Sequence, residues 1–127
     1  MFTKYSIYDS PASFDAREVE DLAHFGLWEK EKNNETELWK NISNFEIHLR
    51  KYQPHGRKEF FTISIGKWTG DANWASRDNM VYNKHFFDWS HFLEQVRDST
   101  SALSSGYHYS SEKEYEFPQL ELYNKPS

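Results

Sequence analysis

Two stretches of alternating residues, Phe45–Tyr52 and Glu59–Ile65, constrain this chain more than any other feature. In the first, Phe45, Ile47 and Leu49 fall on one side of an extended strand and Glu46, His48 and Arg50 on the other. Successive side chains of a strand point to opposite faces, so this pattern suits a sheet with one apolar side. In the second stretch Phe61, Ile63 and Ile65 make one face and Phe60, Thr62 and Ser64 the other. Between them Gln53-Pro54-His55-Gly56-Arg57 supplies turn chemistry, since proline fixes one backbone dihedral and glycine tolerates a positive one. The simplest assembly is an antiparallel hairpin. Beyond a loop that holds Trp68 and Trp74, Met80–Tyr82 is expected as a third strand and Asp88–Leu103 as a helix. Trp89, Phe92, Leu93, Val96 and Leu103 recur there at helical spacing, so the helix should cover one face of the sheet until Gly106 stops it. Phe87 and Phe92 flank the cap residue Asp88 as a hydrophobic staple.

The flanks carry weaker signals. Residues 2–8 read as a short strand ended by Asp9-Ser10-Pro11. Asp15 and Glu18 form a capping box between the staple residues Phe14 and Val19, which predicts a helix from Asp15 to Phe25. Its buried stripe should be Val19, Leu22 and Ala23, with Gly26 as the stop and Leu27 folding back on Leu22. Asn34 and Glu37 repeat the cap pattern, so a second short helix over residues 35–43 should insert Leu38, Trp39 and Ile42. Tyr115–Tyr123 is again extended, and Pro118 places it at an edge or on a bulge because proline donates no ladder hydrogen bond. A length of 127 residues fits one domain, as domains most often run to about 100–150 residues. The expected fold is therefore a single α+β domain over residues 1–127. It has an antiparallel sheet built on a central hairpin, an amphipathic helix packed on one face, and short N-terminal helices. The acidic segment 107–127 supplies an edge strand and a tail.

Catalytic and metal motifs are missing from this sequence. Its six histidines (His24, His48, His55, His85, His91 and His108) show no i, i+4 pair and no His-Glu-x-x-His run, so no metal is expected. There is no Gly-x-Ser-x-Gly and no Gly-x-Gly-x-x-Gly, and no cofactor or catalytic residue is expected either. Cysteine is absent, which removes disulfides and thiolate zinc sites and fits a reducing compartment. No apolar run reaches the roughly 18 residues of a membrane helix, and Met1–Ser6 lacks the apolar stretch of a signal peptide. A cytoplasmic protein with no membrane partner follows as the expectation, as monomer or homodimer.

Charge is distributed unevenly under the net value of −5. Residues 40–84 hold an excess of Lys and Arg, and both flanks hold an excess of acids. Two binding surfaces can be drawn. Arg50, Lys51 and Lys58, with Tyr52, Phe60 and Trp68, would give single-stranded nucleic acid its phosphate partners and stacking rings. The overall acidity opposes that reading, because an acidic chain repels polyanions. The acidic alternative uses Glu18, Glu20 and Asp21 of the first helix and Glu112, Glu114 and Glu116 of the tail. Trp74, Tyr107 and Tyr109 would be aromatic anchors for a protein partner.

The segment Phe45-Glu46-Ile47-His48-Leu49-Arg50, the return strand Phe60–Ile65, and Phe87-Asp88-Trp89-Ser90-His91-Phe92-Leu93 together resemble the hairpin-plus-helix part of small anti-CRISPR proteins of phages and mobile elements. The resemblance covers under half the chain and ends in the loop 66–79 and the acidic tail. It implies a non-enzymatic inhibitor whose partner is a host or defence protein such as a nuclease. Nucleic acid is the partner only under the alternative reading.

Overall fold

A computed structural model describes residues 2–30, 36–67, 80–106 and 122–126. In chain order these form β1 (Phe2–Ser6), a 3-10 turn (Ile7–Asp9), β2 (Pro11–Ala12), α1 (Ala16–Ala23), β3 (Glu29–Lys30) and β4 (Glu37–Ile42). There follow β5 (Phe45–Tyr52), β6 (Phe60–Lys67), β7 (Met80–Phe86), α2 (Trp89–Ser104) and β8 (Leu122–Pro126). Strands β3, β4, β5, β6 and β7 lie side by side in that order, every pair antiparallel. Strand β2 pairs with Lys51 and Tyr52, the end of β5 that β4 does not reach. Strands β1 and β8 form a second antiparallel pair. The architecture is the expected α+β one, with the β5–β6 hairpin at the centre of the sheet.

Alternation decides which side of that hairpin meets the helices. Ile47 faces Ile65 across the ladder and Leu49 faces Ile63, so their side chains share one side with Phe45, Phe61 and Leu38. Phe92, Val96 and Leu103 of α2 and Leu22 of α1 close the core over them. The Phe92 ring stacks on Phe61 at 5.0 Å and on Phe14 at 6.2 Å. Between β6 and β7 the register slips, with Ile65 opposite Tyr82 and Gly66 opposite Met80. Val81 is the extra residue of this bulge, which brings two successive residues, Val81 and Tyr82, into the same core.

Several local expectations are corrected. Residues 37–42 form strand β4 and no helix, because Leu38, Lys40 and Ile42 pair with Leu49, Ile47 and Phe45 along the central strand. Glu37, read as a capping residue, instead turns its carboxylate to His48 and Arg50. In α1 the capping box between Asp15 and Glu18 is present, but Ala23 is exposed and Glu18 takes a buried position beside Leu22. Leu27 does not fold back on Leu22 and is 86% exposed. Trp28 closes that end, its indole N–H donating to the Leu22 carbonyl at 2.9 Å. Lys40 donates to the Phe25 carbonyl and sits 4.2 Å from the Trp28 ring centroid. Gly26 permits the turn, with φ at +116° and the Lys40 ammonium 2.7 Å from where a Cβ would stand. Phe87 is not the staple of α2; Phe86 takes that place, with its ring 6.0 Å from Phe92. The third strand runs past Tyr82 to Phe86, and the expected strand Tyr115–Tyr123 lies largely outside the described residues.

Phe92→Ala should cost about 3–5 kcal/mol in urea unfolding, as for a fully buried aromatic ring. Leu27→Ala should stay within about 0.5 kcal/mol of wild type, since nothing packs on an exposed side chain of this kind.

Candidate protein-binding surface

The sheet face away from the helices carries charge, yet it is buried. Glu46, His48, Thr62 and Ser64 are all below a tenth exposed, and His48 is at 4%. His48 Nε2 lies 2.8 Å from Glu46 Oε1, and Nδ1 contacts Glu37 Oε1. Arg50 Nε donates to the other Glu37 oxygen at 2.8 Å. The Trp39 ring stacks on the imidazole at 6.1 Å. A carboxylate oxygen stands at each ring nitrogen, so the imidazole bridges Glu37 and Glu46. Burial pushes the Glu37 carboxyl upward, but the His48 hydrogen bond and the Arg50 and His48 charges outweigh it. The group is held below its ordinary range.

The other residues of the basic hairpin are also engaged within the fold. Lys51 Nζ donates to Glu18 Oε1 at 2.8 Å and lies 3.3 Å from Glu59 Oε2. The same Glu18 oxygen accepts the Asp15 backbone N–H at 2.8 Å, so one carboxylate caps α1 and pairs with the sheet. Burial acts to lower the Lys51 ammonium, and its Glu18 and Glu59 partners raise it above its usual value. Tyr52 and Phe60 stack at 5.0 Å, with Tyr8 edge-on to both and His85 stacked on Phe60 at 5.6 Å. Burial raises the Tyr52 phenol. Of the residues suited to single-stranded nucleic acid, Arg50, Lys51, Tyr52 and Phe60 thus have partners inside the protein. Lys58 is exposed in the hairpin turn, and Trp68 lies outside the described residues.

The helical layer differs. Glu20 on α1 and Glu94 on α2 are exposed and have no ion pair among the described residues. Asp21 is half-buried and accepts the Trp89 indole N–H at 3.0 Å. Asp88 caps α2, and Asp98 pairs with Arg97 at 3.1 Å on the exposed side of the same helix. With Arg17 as the remaining exposed cation of α1, carboxylates outnumber cations over this layer. The exposed cations Lys58, Arg57, Lys67 and Lys84 belong to the sheet and its turn. Glu18 is withdrawn from the acidic face by its pairing with Lys51. Trp74, Tyr107, Tyr109, Glu112, Glu114 and Glu116 lie outside the described residues. Phe87, which the sequence pattern read as the staple of α2, is 61% exposed and leans on Phe60 at 5.9 Å.

Among the described residues no three His, Cys, Asp or Glu side chains form a group able to hold a metal ion. No described helix is long and apolar enough to cross a membrane. The chain matches no protein-family model, and no curated protein or solved structure is significantly similar to it.

Because Glu37 is depressed in the folded state, its contribution is full above the unfolded value near 4.5 and is lost as pH falls through the folded value. Unfolding free energies taken from about pH 7 to pH 3 should fall below about pH 4.5. Glu37→Gln should be less stable at neutral pH and flatter across the acid window. At neutral pH His48→Ala should lose roughly 3 kcal/mol or more, since it leaves two carboxylates without their shared partner.

Proposed function

We propose that this chain is a non-enzymatic binding protein that inhibits a nucleic-acid-handling protein by covering a basic surface on it. The observation that carries the proposal is the separation of its charges. Arg50, Lys51, Tyr52 and Phe60 of the hairpin are engaged by partners inside the fold, while Glu20 and Glu94 stand outward on the helices without counter-charges among the described residues. A nucleic-acid-handling protein presents the complementary positive surface, and opposite charge speeds docking more than it tightens the final complex. The resemblance of the hairpin and α2 to small anti-CRISPR proteins supports the same reading and names a defence nuclease as the class of partner. Single-stranded nucleic acid fits less well, because binding it through Lys51, Tyr52 or Phe60 requires breaking the contacts that bury them.

The tagged chain, incubated with lysate of its source or host cell after nuclease digestion, should retain one stoichiometric protein and inhibit that protein's action on nucleic acid. The double variant Glu20→Lys, Glu94→Lys should associate about tenfold more slowly at low salt. An empty capture argues against the proposal. So does tight, salt-sensitive binding of a labelled single-stranded oligonucleotide by the chain alone.

A further inference from the structure

We infer that the groove between the end of β7 and the outer face of α2 receives an arginine side chain of the protein partner. The inference rests on the docking reading above and deepens it. The groove is open to solvent, has a volume of about 340 Å³ and is lined by Phe86, His91, Glu94 and Gln95. His91, Glu94 and Gln95 stand three and four residues apart, so they share one flank of α2. Phe86 ends β7, and its ring is fixed edge-on against Phe92. The site is therefore an aromatic wall facing a helix flank that offers acceptors.

Those acceptors are open. Glu94 is exposed and has no ion pair or hydrogen bond among the described residues. Gln95 uses its amide N–H on Ser99 Oγ at 3.4 Å, which leaves its carbonyl oxygen to accept. The neighbouring cations are turned elsewhere: Arg97 pairs with Asp98, and Lys84 holds its ammonium 5.4 Å from the Tyr82 ring centroid. A carboxylate repels an anionic guest, and a wholly apolar guest would strip water from Glu94 without replacing it. A guanidinium satisfies both walls. Its planar fork donates in parallel to a carboxylate, and its face stacks on an aromatic ring. A lysine ammonium fills the charge requirement but lacks the stacking plane. The acidic helical layer and the basic partner surface supply the charge complementarity that selects a protein side chain as the occupant.

The test is a titration of the full chain with N-acetyl-arginine methylamide at low salt, followed by backbone NMR. Shifts should concentrate at Phe86, His91, Glu94 and Gln95. Glu94→Gln, an exposed helix position that tolerates the change, should keep the fold and weaken this binding about fivefold or more. The lysine analogue should bind several-fold more weakly than the arginine one. Shifts spread evenly over Glu20, Asp88 and Asp98, equal binding of the two analogues, or an unaffected Glu94→Gln variant would each overturn the inference. Partner capture separates it from the broader reading. If Glu94→Gln captures the partner as fast and as tightly as wild type, the groove is refuted and the docking reading stands. If no partner is captured while the arginine analogue still seats at these four residues, the docking reading falls and the groove's chemistry remains.

Discussion

Strand β5 is buried on both faces and carries charge on both, and the rest of the fold answers to that constraint. An isolated charge at such a position costs several kcal/mol, even after the protein relaxes around it. Each charge on β5 is therefore met by a partner, on a neighbouring element or two residues along the strand itself. Glu37 of β4 takes His48 and Arg50, Glu46 takes the other nitrogen of His48, and Glu18 of α1 with Glu59 takes Lys51. These pairs are specific to register. Glu37 stands directly opposite Arg50, and Trp39 directly opposite His48. A slip of one residue would part these partners and turn Ile47 and Leu49 to the polar side.

The same pairing positions the first helix. Glu18 holds the N-terminal turn of α1 to the sheet through Lys51, while Lys40 and Trp28 hold its C-terminal carbonyls. Leu22 is pressed into the core between these ties. With both ends fixed, the rotation of α1 about its own axis is set, and Glu20 is left facing outward. The outward acid on this helix is thus a consequence of the inward one.

Much of this was legible in the residue pattern. The β5–β6 hairpin followed from strict alternation, and both long helices from their caps and apolar spacing. What failed did so for identifiable reasons. The cap pattern of Asn34 and Glu37 suggested a helix because local pattern cannot register that Glu37 would be claimed by Arg50 across a ladder. Phe87 was read as the staple from its place before the cap, but β7 runs on to Phe86 and it is that ring which meets Phe92. The acidic helix face was visible from composition, but Glu18 could not be told from Glu20 until Lys51 was placed beside it. The basic hairpin surface looked continuous in sequence because pairing partners thirteen and thirty-three residues away are invisible at that scale. The groove at Phe86 left no signal in the pattern. It arises only where β7 ends against a helix flank.

Two populations of charge result, and they obey different physics. The pairs around β5 are shielded from solvent, so salt screens them little and they act on stability and register. The carboxylates of the helical layer lie in water, where a pair adds little to folding but a field several ångströms deep remains for an approaching surface. A chain that used one set of charges for both tasks would lose its fold whenever its binding face changed. Here the cations needed to balance the interior come from the sheet, and the acids left over collect on the helices. Among the described residues Glu18 is the one acid the helices commit to that interior, and Glu20 and Glu94 are left outward on the same layer.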